Sequence, residues 1–205
     1  MKLSKGKKLI LLGFILVLVD QIIKVIIKTN MSIGESIHVF GDWFQILFVE
    51  NEGMAFGMKF GGDIGKFILT FFRVVLFGVI WFWMNKLIKK KTTPTGVVVG
   101  LTLIAAGALG NIIDCLLYGQ IFTESTYMSV AEFGGSYAPF MLGKVVDMFY
   151  FPIIDTVLPQ WMPWVGGEPF LFFAPVFNFA DSCVSVGAMY LIFFHYKYFS
   201  KEEKK

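Results

Sequence analysis

Asn111 and Asp114 lie three residues apart, as do Asn178 and Asp181, each pair inside a stretch of apolar sequence. Asp20 and Lys24 lie four apart in a third such stretch, and Arg73, the only arginine of the chain, lies in a fourth. At 3.6 residues per turn, spacings of three and four put both members of a pair on one helix face. An ionisable group surrounded by lipid-like side chains costs about 3 kcal/mol or more unless it is paired or faces a wet cavity, so each of these is a functional candidate. Two carboxylates held close together cannot both ionise cheaply, and one keeps its proton near neutral pH. Such a pair supplies a general base that activates water and a general acid that protonates a leaving amine. That is the chemistry of aspartic peptide hydrolysis, which needs no covalent intermediate.

Simpler roles stay open for several of these residues. Asp20 and Lys24 could form an ordinary ion pair along one helix, and Arg73 could extend its stem to reach the membrane interface. Asn178 could be a helix N-cap, a position at which Asn is favoured. Asp114 and Asp181 have no cation four residues away on either side, and each follows an Asn that could orient it. Other chemistries find little support. The two histidines, His38 and His195, fall in separate regions, which disfavours a Ser/His arrangement or a histidine-rich metal site. Cys115 and Cys183 show no zinc or redox spacing, and carboxylates beside them favour the unreactive thiol. They read as small apolar filler. The glycines around Gly107 and Gly110 suit close helix packing, since the lysine of a phosphate-binding loop is missing. No metal and no cofactor are expected.

The elements that position these groups are membrane spans. Of 205 residues, 56% are hydrophobic and only 16% charged, against about 25% charged in soluble domains. Mean hydropathy is +0.69. This composition argues against most cytosolic enzymes and nucleic-acid binders. Four stretches, about 8–27, 67–84, 96–117 and 176–194, are long enough to cross the hydrocarbon core. The first begins after lysines like a leader peptide, yet no small-x-small cleavage site follows, so a retained helix is expected. Lysines cluster before the first span, between the second and third, and after the fourth, while the acids lie mostly elsewhere. The positive-inside rule then makes both termini and the middle loop cytoplasmic. In that orientation Asp114 and Asp181 both fall near the outer edge of the bilayer, with Asp20 and Lys24 rising toward them.

The two outer loops carry more than a connection. Residues 43–49 alternate in polarity as a strand does. The second loop is too long for a bare link and holds an aromatic, proline-punctuated stretch. Its Trp161 and Trp164 suit a surface at the membrane interface. The expected fold is therefore an all-α membrane protein, four transmembrane helices with a small extracytoplasmic β-rich cap and an interfacial loop. No internal repeat or second domain is apparent, so residues 1–205 are read as one domain. A small ion-coupled transporter is the rival function, since carriers also bury carboxylates between helices. Charges near one interface, with no repeated halves, fit it less well.

Five segments resemble the lipoprotein signal peptidases (signal peptidase II), bacterial intramembrane aspartic proteases. They are Asp20-Gln-Ile-Ile-Lys24, Asn51-Glu-Gly-Met-Ala-Phe-Gly57, Gly107-Ala-Leu-Gly-Asn-Ile-Ile-Asp114, Val145-Val-Asp147-Met and Phe177-Asn-Phe-Ala-Asp181-Ser. The resemblance covers about residues 9–195, with an apparent insertion near 120–142. It implies that Asp114 and Asp181 are the catalytic pair. It also implies that Asn51, Gly53, Asn111, Asn178 and Ala180 line the cleft, with Asp20, Lys24 and Asp147 in support. The implied substrates are prolipoproteins bearing diacylglycerol, cut just before the lipidated cysteine by a monomeric enzyme of the bacterial cytoplasmic membrane. Membrane lipid is then a partner and nucleic acid is not. The chain departs from the family pattern at Cys115, where Arg is usual, at Ile23, where Ser or Thr is common, and at Met54, where Ala is expected. Arg73, near the depth of Asp181, could supply the cation that Cys115 cannot.

Overall fold

The computed structural model describes residues 4–52 and 61–202. Gly53 and Met54, and with them most of the Asn51–Gly57 segment, lie outside the described residues. Among the described residues, four helices are long and apolar enough to cross a membrane. They are α1 (Lys5–Asn30), α2 (Gly62–Lys89), a third running Thr95–Ile121, and α5 (Phe179–Glu202). The third is α3 (Thr95–Ile113) followed by a π-helical turn, Asp114–Tyr118, and a last helical turn, α4 (Gly119–Ile121). At ~1.5 Å per residue, α1 and α2 reach well beyond the expected spans and exceed the ~30 Å of hydrocarbon. The last helix starts at Phe179 rather than in the Val176 region, because Val176–Phe177 pairs as a strand and Asn178 then caps the helix.

Packing centres on α3, which lies against α1, α2 and α5. Small residues make that possible. A Cβ at Gly107 would press on the backbone oxygen of Ala180 in α5, and one at Gly110 would sit 2.5 Å from Asp20 Oδ2 and 3.1 Å from the Ala180 Cβ. Glycines at these positions let three backbones approach closely enough for their polar side chains to meet. Many other side chains of α1, α2 and α5 face outward, among them Phe14, Phe72 and Phe193. Such exposure suits lipid rather than water.

Among the described residues, six strands lie outside the helices. β1 (Ser36–Phe40), β2 (Phe44–Asn51), β3 (Val145–Tyr150) and β6 (Val176–Phe177) form an antiparallel sheet in the order β1-β2-β3-β6. β4 (Ile154–Val157) and β5 (Pro169–Phe172) pair separately as a hairpin. The strand expected at 43–49 is β2. Phe48, Val146 and Met148 pack under the sheet against Met31, Tyr118 and Phe122, tying it to α1 and the π turn. Register decides which polar side chains of the sheet can meet. Val49 stands opposite Asp147, and Asn51 opposite Val145, so Asn51 and Asp147 share one face of the sheet while Glu50 points to the other.

Candidate active site

The site gathers side chains from α1, α3, the π turn, β2, β3 and the start of α5. On α1, the buried ammonium of Lys24 lies 3.0 Å from Asp20 Oδ2 and 2.8 Å from Asp114 Oδ2, and donates to Asn111 Oδ1 at 2.8 Å. Asp20 therefore pairs along its own helix, as its spacing allows, and also bridges helices: its Oδ1 accepts the backbone N–H of Ala180 at 2.9 Å. Gln21, which its spacing does not single out, donates to Asp114 Oδ1 at 2.9 Å and to the Gly110 carbonyl at 3.1 Å. Its oxygen accepts from the Tyr118 hydroxyl at 3.1 Å. Asp114 is fully buried, and its second oxygen also takes the Val146 N–H at 3.3 Å.

Around Asp181 the partners differ. Its Oδ1 accepts from Asn111 Nδ2 at 2.8 Å, and its Oδ2 from the Asn178 backbone N–H at 3.4 Å. The Asp181 N–H returns to Asn178 Oδ1 at 2.9 Å. This reciprocal pair makes Asn178 the N-cap of α5, with Asp181 at the third helical position. Capping occupies only one end of the amide. Asn178 Nδ2 donates to Asp147 Oδ1 at 2.7 Å and to Asn111 Oδ1 at 3.1 Å. Asn51 Nδ2 donates to the other oxygen of Asp147 at 3.2 Å.

Two carboxylate groupings result. Asp20 and Asp114 share Lys24, whereas Asp147 and Asp181 share Asn178. Asp147 lies on β3, outside the spans, and its carboxyl is pushed up to about 7, first by burial and then by the neighbouring charge of Asp181. The amides of Asn51 and Asn178 pull in the opposite direction, because they hydrogen-bond the ionised form. Arg73 comes within 3.6 Å of Cys115 Sγ, donating from Nη1, so its guanidinium lies beside the π turn that begins at Asp114. The structure thus brings together Asp20, Lys24, Asn51, Asn111, Asp114, Asp147, Asn178, Ala180 and Asp181, with Arg73 at the edge. Among the described residues no group of three or more His, Cys, Asp and Glu side chains could hold a metal ion.

Residues 12–197 match the family model for signal peptidase (SPase) II. The chain belongs to the signal peptidase II family. It is 47% identical over 193 residues to the lipoprotein signal peptidase of Porphyromonas gingivalis, covering 93% of this chain and 84% of that protein. The lipoprotein signal peptidase of Amoebophilus asiaticus is 32% identical over 183 residues, covering 88% of this chain and 74% of the relative. A bacterial membrane enzyme determined by the in meso method superposes with a TM-score of 0.60 at 26% identity, covering 97% of this chain and 93% of that one. As a signal peptidase II the chain is a membrane-embedded protease, with four apolar helices long enough to span.

Proposed function

We propose that the chain removes the signal peptide from diacylglyceryl-modified prolipoproteins, immediately before the lipidated cysteine, by attack of water held between Asp147 and Asp181. One observation carries the choice of pair: a single side chain, Asn178, donates to Asp147 and accepts from the Asp181 N–H, at 2.7 and 2.9 Å. This departs from the sequence reading, which pairs Asp114 with Asp181. Asp114 has the Lys24 ammonium directly on one oxygen, at 2.8 Å, whereas Asp147 and Asp181 accept from neutral amide donors. A direct cation suits a fixed counter-ion better than a group that must hand protons to substrate. Its role here is positioning: it neutralises Lys24 and, through the Val146 N–H, holds the strand that carries Asp147.

Near neutral pH the pair holds one proton, borne by Asp147. Asp181, held by donors on both oxygens, takes a proton from water as that water attacks the scissile carbonyl. Asp147 passes its proton to the departing amide nitrogen, and the pair regains its starting state once product leaves. The apparent values on a pH profile belong to the pair as a unit. Lysine placement supports cytoplasmic termini and a site toward the outer leaflet, with the sheet as an extracytoplasmic cap. The β4–β5 hairpin, whose Trp161 and Trp164 are 80% and 95% exposed, suits the headgroup layer. The reading takes residues 1–205 as one domain acting as a monomer in the inner membrane.

Purified protein should cut a diacylglyceryl-modified prolipoprotein and leave the unmodified precursor largely intact. The rate should fall as pH rises through about 7, because losing the Asp147 proton removes the acid that the leaving nitrogen requires. Equal cleavage of the unmodified precursor, or a rate still climbing well above that pH, counts against the reading. A thiol mechanism separates cleanly from this one, since both cysteines are buried. The variant Cys115→Ala with Cys183→Ala should cleave at a comparable rate and trap no acyl-enzyme by mass spectrometry. Loss of activity in the folded double variant would return the cysteines to contention.

A further inference from the structure

A second buried ion cluster lies one helical turn beyond Lys24 and takes no part in the proton transfers between water, Asp181 and Asp147. Lys28 is fully buried, and its ammonium pairs with Glu50 and donates to Ser125 Oγ at 2.9 Å. Ser125 in turn donates to the same Glu50 oxygen at 2.9 Å. The other Glu50 oxygen is buried with no hydrogen-bond partner among the described residues, and Lys144 approaches it to 3.7 Å. The Tyr137 ring lies 4.9 Å from the Lys28 ammonium and 5.6 Å from that of Lys144, and its hydroxyl accepts the Lys144 backbone N–H at 2.8 Å. Ser125 and Tyr137 both come from the segment between α4 and β3, which the sequence reads as an insertion.

That segment is fastened along its length. The Gly119 carbonyl accepts from the Tyr137 and Ala138 amides at 2.8 and 3.0 Å, Thr123 N–H donates to the Glu132 carbonyl at 2.9 Å, and Ile33 N–H reaches the Thr126 carbonyl at 2.9 Å. A buried pair is expensive to desolvate and unlike ordinary filler, so its position asks for a reason. Glu50 is the residue immediately before Asn51. Because side chains alternate across a strand, the cluster grips one face of the end of β2 while Asn51 reaches Asp147 from the other.

We propose that Lys28, Glu50 and Ser125 are positioning residues for catalysis, and that the 119–142 segment is a brace which, through them, holds Asn51 on Asp147. This rests on Asp147 being a member of the catalytic pair. Among the described residues, the charged groups around Asp147 are Asp181 of α5 and, beyond the asparagines, Lys24 with its partners Asp20 and Asp114. The brace changes none of these charges. It controls one neutral donor, the Asn51 amide, that favours ionised Asp147. Loosening the brace therefore leaves the proton on Asp147 longer as pH rises, and the alkaline limb of the rate profile moves upward.

The test is the pH profile of kcat for Glu50→Gln, Ser125→Ala and Asn51→Ala, with thermal unfolding measured alongside. Ser125→Ala and Asn51→Ala change no charge, and each should move the limb upward by about half a pH unit, the size expected for one neutral hydrogen bond. Glu50→Gln should move it by less, because it also leaves Lys28 and Lys144 less compensated. Adding Ser125→Ala to Asn51→Ala should move it no further, since both act through one contact. Ser125→Ala keeps the buried Lys28–Glu50 pair intact and so remains informative if Glu50→Gln unfolds. A lower unfolding temperature with the limb unmoved in Ser125→Ala overturns the proposal, as does a fully additive shift in the double variant. Asp147→Asn serves as the control for the underlying reading. Wild-type-like cleavage by that variant would refute the pair itself, whereas an inactive Asp147→Asn with an unmoved Ser125→Ala limb refutes only the brace.

Discussion

Asp147→Asn and Asp181→Asn should each lower turnover by at least ~10²-fold, the usual loss when one half of an acid–base pair is removed. Asn keeps the shape of either side chain but can accept only one of the two donors that each carboxylate holds, so thermal unfolding is measured alongside turnover to separate lost chemistry from lost fold. Asp114→Asn is the informative contrast. It leaves Lys24 with Asp20 as counter-ion and slightly loosens the strand at Val146, so activity should fall. The alkaline limb near 7, set by loss of the proton that the Asp147–Asp181 pair holds, should survive in it. Measuring kcat across pH for the three variants decides between the two pairings. Should Asp114→Asn erase the limb while Asp147→Asn retains both rate and limb, Asp114 is the catalytic partner after all.

Lys24→Met should be the most destabilising single change at the site. Lys24 is the cation held between Asp20 and Asp114, at 3.0 and 2.8 Å, and it also ties down Asn111. Its removal leaves two buried carboxylates facing each other without compensation, which costs about 3–5 kcal/mol where one member of a buried pair is taken away. Thermal unfolding in detergent should show the loss directly. Adding Asp114→Asn should recover part of it by removing one of the stranded charges, without restoring cleavage. An unfolding temperature for Lys24→Met equal to that of the parent protein would mean that the triad contributes nothing to the fold.

Why some of this is legible in the chain, and some is not, depends on where each contact is made. Asp20 with Lys24, Asn111 with Asp114, and Asn178 with Asp181 are spaced for helix faces, and local geometry alone makes them neighbours. The stripe 20–24 continues to Lys28, a signal in plain view that could have exposed the second cluster. Glycines at 107 and 110 likewise point to close packing, and the backbone of α5 lies against the first of them. Asp147 leaves a fainter mark. It is a lone acid in an apolar strand, and its partners Asn51 and Asn178 come from β2 and from the start of α5. Only strand register and the turn from β6 into α5 bring those together, and neither leaves a periodic trace. Gln21 lies about 100° around α1 from Asp20, a spacing that turns it to another face, yet its long side chain crosses to Asp114. The sequence allows Asn178 two roles, cap or site residue, and in the structure one amide fills both, using its two ends.

That double duty ties alignment of the reacting groups to the integrity of one helical turn. The side chain whose oxygen stops α5 from fraying at Asn178 is the one whose amide nitrogen holds Asp147 beside Asp181. Unwinding the first turn of this helix would therefore disarm the enzyme even with the rest of the fold intact. Adaptation to differently shaped precursors has to come from surfaces around the site, because the pair itself has no slack to offer.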